Sequence, residues 1–290
     1  MRISEAYGQG KFGLSFELFP PKTAAGEEEL FRHLAQLVPF RPSYVTCTYG
    51  AGGSTRDKTL DIVEQVRQRH SLPVASHLTC VGSTVDELRS YLAEATRRKI
   101  DNIVALRGDP PQGQTSFRPV AGGYSYAAEM VALIRSEFPH FGIAVAGYPE
   151  THREAPSPAD DLDNLRRKVD RGADIVITQL FYDNYDFFRF RERCRHVGID
   201  VPIVPGILPV TSLAQIQRIT SLCGAQLPQS LVEALAAQGD DVDGQFKVGV
   251  EFATRQVQGL IDGGIPGVHF YVLNKSPATT AVLQAIKLPD

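Results

Sequence analysis

Asn102-Ile103-Val104-Ala105-Leu106-Arg107-Gly108-Asp109-Pro110-Pro111 is the stretch on which the fold turns. Ile103 to Leu106 is an unbroken apolar run with two β-branched residues, the pattern of a strand buried on both faces. Arg107-Gly108-Asp109 ends the run, and two prolines stop further pairing or an immediate helix. A buried parallel strand that releases Arg, Gly and Asp at its C-terminal end is built like an active-site strand. Ligands of α/β proteins gather at that edge. A solvated surface turn is the competing reading, since strand-ending turns often carry Asp and Gly.

Further strand patterns precede this one at 13–19, 44–48 and 73–78, and others follow it at 143–147, 175–178, 203–204 and 267–273. Helical periodicity fills the intervals at 27–38, 57–68, 85–99, 126–137, 160–171, 185–197 and 212–222. An inserted helix at 228–237, a long one at 245–262 and a terminal one at 277–286 complete the chain. Alternation puts Glu17 on the same strand face as Ser15 and Phe19. Pro158 falls near the first turn of its helix, and Ser212 is placed to cap the next but one. Eight strands alternating with helices predict one α/β domain over residues 1–290. Its expected form is a (β/α)8 TIM barrel, with an extra helix before the last barrel helix and a C-terminal helix. Repeats, low-complexity tracts and linkers are absent from the sequence.

Composition narrows the function. The 290 residues are 43% hydrophobic and 22% charged, ordinary values for a chain with a sizeable core. A net charge of −3 gives no basic footprint for nucleic acid or an anionic membrane. No apolar run approaches the roughly 20 residues of a membrane span. The N-terminal Met-Arg-Ile-Ser-Glu-Ala lacks a signal core, so a cytoplasmic protein is expected and Arg-Gly-Asp does not read as an adhesion motif. Cys47, Cys80, Cys194 and Cys223 have no paired spacing and are expected to be reduced thiols.

Glu17, Thr48, His77, Arg107, Asp109, Tyr148, Gln179 and Lys275 all fall at, or just beyond, the C-terminal ends of predicted strands. In a barrel those ends form one mouth. Each residue alone has a bland reading: Glu17 as a paired edge carboxylate, His77 as a satisfied core histidine. Eight coincidences at one end favour a catalytic mouth.

The common site motifs mostly fail. Gly50-Ala51-Gly52-Gly53-Ser54-Thr55 has Thr55 where a dinucleotide fingerprint needs its third glycine. Phe12 after Gly10-Lys11 spoils a phosphate loop, and neither a zinc motif nor a nucleophile elbow is present. What remains is an acid on the first strand, an Arg and an acid at the fourth, and an amide at the sixth. That set suits proton delivery to a charged heterocycle. Tyr49, Tyr126, Tyr148, Phe181, Tyr182 and Tyr271 could stack on planar rings, with core packing as the alternative.

The ordered motifs resemble the methylenetetrahydrofolate reductase family, in its bacterial-type form with the catalytic domain only. They are Ser15-Phe16-Glu17-Leu18-Phe19-Pro20-Pro21-Lys22, the run from Thr48 through Gly50-Ala51-Gly52-Gly53 to Asp57, His77-Leu78-Thr79-Cys80 and Leu106-Arg107-Gly108-Asp109-Pro110-Pro111. Tyr148-Pro149-Glu150 with His152, Ile177-Thr178-Gln179, Pro205-Gly206-Ile207-Leu208-Pro209 and His269-Phe270-Tyr271-Val272-Leu273-Asn274 follow in the family's order.

The resemblance implies an FAD enzyme of one-carbon metabolism and methionine biosynthesis. It would take a hydride from NADH or NADPH and reduce 5,10-methylenetetrahydrofolate to 5-methyltetrahydrofolate. Glu17 would be the general acid that opens the imidazolidine ring, and Asp109 would stand beside flavin and pterin. Gln179, Gln215, Tyr271 and Lys275 would contact folate. The flavin would fall on Thr48, Tyr49, Ala51, His77, Arg107, Gly108, Asp109, Tyr126, Ala127, Tyr148, His152, Ala155, Asp161, Asn164, Arg167 and Lys168. A cationic donor set of Arg107, Arg167 and Lys168 agrees with a diphosphate. Asp161, Asn164 and Lys168 share one helix face by spacing.

Lys275 stands where some bacterial relatives carry Arg, and Ile219 where they carry an aromatic beside the nicotinamide. Eukaryotic members append a regulatory domain that binds S-adenosylmethionine; that control is expected to be absent here, and a homo-oligomer is expected. A flavin-free barrel lyase and a catalytically silent flavin- or folate-binding barrel are the rival readings.

Overall fold

The computed structural model describes residues 1–8, 10–49, 56–110 and 117–289. Among the described residues nine parallel strands form one sheet: β1 (Gly13–Leu18), β2 (Tyr44–Cys47), β3 (Val74–Thr79), β4 (Asn102–Leu106), β5 (Gly142–Gly147), β6 (Ile175–Thr178), β7 (Ile203–Val204), β8 (Gly206–Ile207) and β9 (Gly267–Tyr271). Their spatial order is β7-β6-β5-β4-β3-β2-β1-β9-β8. The helices between them are α1 (Ala24–Leu37), α2 (Arg56–His70), α3 (Val85–Arg97), α4 (Ala127–Glu137), α5 (Pro158–Asp170) and α6 (Asn184–His196). After β8 come α7 (Leu213–Cys223), α8 (Gln229–Ala236) and α9 (Val242–Asp262), and α10 (Pro277–Ala285) follows β9. This is the TIM-barrel architecture expected, with α8 as the inserted helix.

One strand count is corrected. The expected seventh strand is two, because Pro205 has no N–H to continue a ladder. Val204 pairs with Ile177 of β6, whereas Gly206 pairs with His269 of β9. The sheet therefore closes through the chain at Pro205, and the Gly206 N–H donates to Thr178 Oγ1 at 2.9 Å across the seam. Two helices begin three residues earlier than periodicity suggests. Thr23 caps α1 on the Gly26 N–H and Asp241 caps α9 on the Gly244 N–H. In each case a glycine in the first turn hides the start, since glycine is a poor helix former.

Register assigns the faces. Leu14, Phe16 and Leu18 of β1 belong to the main core, which fills the space between strands and helices. Ser15 and Glu17 point the other way, into the lumen. The lower lumen is packed by Tyr7, Tyr44, Ala75, Val104, Ala144, Ile175, Ile177 and Val204. Ile3 and Ala6, from a 3-10 turn over Ile3–Ala6 that the sequence did not signal, join this cluster. Asn102, fully buried at the start of β4, holds the turn in place. Its Oδ1 accepts from the Ile3 N–H at 2.6 Å, and its Nδ2 donates to Met1 O and Val74 O. Gly142 beside it has no room for a Cβ, which would collide with Asn102 Oδ1 and lie 2.9 Å from Ile3 N.

Asn102→Ala strands a buried N–H and two carbonyls at this floor. We expect a loss of about 2–4 kcal/mol, seen in urea as a lower midpoint at unchanged slope; an unchanged midpoint removes the plug's role.

Candidate active site

Inside the upper barrel a carboxylate meets two imidazoles. Glu17 Oε2 lies 3.2 Å from His77 Nε2 and 3.6 Å from His269 Nε2. The His77 side chain is 8% exposed, that of His269 is fully buried, and that of Glu17 is 17% exposed. Strand pairing sets this geometry, because Glu17 is in register with Thr46 on one side and Tyr271 on the other. His269 is steadied from below, with Ser15 Oγ 2.8 Å from its Nδ1. Beneath lie Tyr7 and Tyr44, whose hydroxyls are 2.6 Å apart. Burial keeps both phenols protonated, pushing Tyr44 up to about 12.

Burial alone would raise the Glu17 carboxyl. The charge of His77, with further attraction from both rings, outweighs it and brings Glu17 down to about 2. The His77 contact is chiefly coulombic, since neither of its ring nitrogens makes a well-directed hydrogen bond. The reading of His77 as a satisfied core histidine is therefore corrected. Among the described residues, His77 Nδ1 and Nε2, His269 Nε2 and Thr46 Oγ1 are buried without a well-directed hydrogen bond; both histidines face the Glu17 carboxylate and Thr46 is the register partner of Glu17. Buried polar atoms are rarely left so, and these four fall on residues that face or pair with one acid.

A second polar group lines the neighbouring strand ends. Arg107 follows β4, and its Nη1 donates to Glu154 Oε2 at 2.8 Å. Its guanidinium lies 5.1 Å from the Phe117 ring centre. Gly108 follows at φ 88°, where an added Cβ would stand 2.5 Å from Val81 Cγ1, so only glycine fits. Tyr148, after β5, meets the His152 ring edge-on at 4.6 Å. The Asp161 carboxylate accepts from the His152 N–H at 3.1 Å. Lys168 reaches under the group and donates to Ala146 O at 2.6 Å. Burial lowers Lys168 to about 8, against the opposing pull of Asp161. Burial also raises Asp161 and Tyr148.

Other candidates sit around the rim. Tyr271 donates to Thr178 O at 2.8 Å, beside Glu17. Tyr49 is buried and donates to Thr79 Oγ1 at 2.9 Å. Thr48 follows β2, and its carbonyl accepts from Thr59 Oγ1. Gln179 Oε1 accepts from the Leu180 N–H, and Gln215 Oε1 accepts from Thr211 Oγ1. Asp109 and Lys275 are exposed, and Tyr126 is 59% exposed at the start of α4, followed by Ala127. Ala155 and Asn164 are half-buried, while Arg167 of α5 is exposed. Phe19 lies beyond the end of β1 and does not extend the Ser15–Glu17 face: its N–H donates to Asn274 Oδ1 and it is 45% exposed. Ala51 and the rest of 50–55 lie outside the described residues.

Sequence reasoning missed Thr46, His269 and Glu154 as members of these groups. His269 was legible, since alternation along β9 puts it on the lumen face with Tyr271. Glu154 carries no such signal.

Fold and site together define a parallel-barrel protein with an acid–imidazole centre and a cationic cleft at its C-terminal mouth. The chain belongs to the methylenetetrahydrofolate reductase family, whose model, described as "Methylenetetrahydrofolate reductase", matches residues 2–287. It is 38% identical over 297 residues to methylenetetrahydrofolate reductase (NADH) 1 of Zea mays, covering 99% of this chain and 50% of that protein. The chain thus spans about half the length of such relatives. It is 39% identical over 278 residues to 5,10-methylenetetrahydrofolate reductase of Escherichia coli (strain K12), covering 96% of this chain and 92% of that protein. Among solved structures, an uncharacterized protein from Clostridium thermocellum that binds two copies of 5-methyl-5,6,7,8-tetrahydrofolic acid aligns with a TM-score of 0.62. Identity is 15% and coverage 94% of each chain; this likeness concerns the fold alone.

The depressed Glu17 carboxyl has a consequence for stability. A folded value near 2 against an ordinary 4.5 stabilises fully above pH 4.5 and is lost as pH falls toward 2. Wild type should lose on the order of 2–3 kcal/mol more than Glu17→Gln across that window. Parallel acid limbs in denaturant titrations would contradict the imidazole-held carboxylate.

Proposed function

We propose that this chain is a flavin-dependent reductase that converts 5,10-methylenetetrahydrofolate to 5-methyltetrahydrofolate with NADH or NADPH as reductant. The observation that carries the reading is the mouth itself: an acid between two incompletely bonded imidazoles, beside a cleft of Arg107 and Lys168. Family membership supports it. The cleft fits FAD by its donor set, with cations for a diphosphate, Gly108 allowing close approach of a flat ring, and Tyr148 and His152 supplying planar faces. FAD would supply the hydride chemistry, accepting from the nicotinamide and donating to the folate in two half-reactions.

Arg107, Lys168 and the half-buried Asn164 would hold the cofactor. Thr48, Tyr49, His77, Gly108, Asp109, Tyr126, Ala127, Ala155, Asp161 and Arg167 would complete its contacts. Gln179, Gln215, Tyr271 and Lys275 would orient the folate. Glu17 would pass a proton to the substrate ring nitrogen as its bond to the bridging carbon breaks. A flat ligand over the mouth strips water from the carboxyl and raises it, so a proton can come to Glu17 from an adjacent imidazole. Asp109 would face the cation that results. One catalytic domain in the cytoplasm, assembled as a homo-oligomer, is part of the same reading.

Purified protein should therefore be yellow, bleach anaerobically with NADH or NADPH, and regain colour on adding methylenetetrahydrofolate. A colourless protein that takes up no FAD would favour a flavin-free lyase, and one that never bleaches a silent binding barrel. Lys168→Ala should weaken FAD binding by about 1.5–3 kcal/mol, roughly ten- to a hundredfold; unchanged affinity in a flavin fluorescence titration removes Lys168 from the cleft.

A further inference from the structure

The loop from β5 to α5 faces two ways. His152 and Glu154 turn toward the cleft, through the His152 N–H on Asp161 and the Glu154 carboxylate on Arg107. Arg153, between them, turns away to the last turn of α7. Its Nη1 donates to Ser221 O at 2.8 Å and Leu222 O at 2.9 Å. A cation on the final carbonyls of a helix is favoured by their charge and by the helix dipole. The grip is shaped as well as charged. Gly224 caps α7 at φ 85°, and a Cβ there would meet Arg153 Cγ at 2.7 Å and Cδ at 2.8 Å. Glu150, earlier in the same loop, accepts from the Gln226 N–H at 3.1 and 3.2 Å. Between the two grips Thr151 is held at φ 81°, a left-handed conformation that a β-branched residue adopts at a cost.

What this loop holds is a wall of the mouth. Ile216 and Ile219 of α7 pack in an apolar cluster with Leu180, Tyr182, Leu208 and Tyr271. Tyr271 is the register partner of Glu17. Moving α7 therefore moves the surface next to the acid.

We infer that Arg153 is a positioning residue that ties α7 to the cofactor cleft, so that filling the cleft fixes the wall against which the second ligand packs. The link to the cofactor rests on the flavin reading above; the grip on α7 does not. A ligand that engages Arg107 orders 152–155, and Arg153 carries that order to α7.

Hydrogen exchange of the full chain, with and without FAD, tests both parts. The α7 amides are read against those of β3 and β4. In Arg153→Ala the end of α7 should exchange roughly three- to tenfold faster, with the strands unchanged. Arg153→Lys should restore part of the protection, because one ammonium can reach a carbonyl but lacks the guanidinium fork. FAD should slow α7 exchange in wild type and fail to do so in Arg153→Ala, although that variant still turns yellow. Its KM for the reductant or the folate should rise several-fold with kcat nearly unchanged. Wild-type α7 exchange in Arg153→Ala, or equal loosening of the strands, overturns the inference. An α7 that ignores bound FAD in wild type overturns the link. If FAD does not bind at all, the flavin reading fails, and the exchange difference without ligand still decides the grip.

Discussion

A carboxylate placed inside a barrel is unfavourable unless something of opposite charge accompanies it. Here Glu17 has His77 at 3.2 Å and His269 at 3.6 Å, brought from β3 and β9 by the parallel register. Much of the surrounding structure serves that triplet. Ser15 fixes one ring nitrogen of His269, and the Tyr7–Tyr44 pair closes the lumen beneath. The N-terminal turn pinned by Asn102 seals the floor. Removing the plug would admit water from below and screen the charges that keep Glu17 ionised.

The barrel thus divides along its axis. Its floor is apolar and fully packed, whereas its upper end carries polar atoms whose hydrogen bonds are incomplete. Such a gradient gives up some stability at the mouth and gains orientation there: donors and acceptors are already in place when a ligand arrives. The cationic cleft obeys the same logic. Arg107 is paired with Glu154 and Lys168 rests on a carbonyl, so neither charge is left bare.

The barrel was legible because strand and helix periods alternate cleanly, and because prolines and glycines mark the strand ends. Glu17, Arg107, Tyr148 and Gln179 could be placed from position alone, each at the end of a strand. What escaped has identifiable causes. Pro205 splits a strand that hydrophobicity reads as one. Gly26 and Gly244 conceal helix starts that their caps determine. Thr46 and the Tyr7 plug act through register and long-range contacts, which no local pattern encodes, whereas alternation along β9 already carried His269. Glu154 and Arg153 are ordinary loop charges in the sequence, and only the fold gives them opposite duties.

In the proposed function Glu17 delivers a proton to the folate and has no part in accepting reductant. Rapid-mixing measurement of the two half-reactions in Glu17→Gln tests it most directly, because the amide keeps shape and bonding reach but cannot give up the proton. Flavin reduction by NAD(P)H should proceed at nearly the wild-type rate, while reoxidation by methylenetetrahydrofolate falls by at least the ~10²–10⁴-fold typical of lost general acid catalysis. Reoxidation at the wild-type rate, or an equal fall in both half-reactions, would contradict the account.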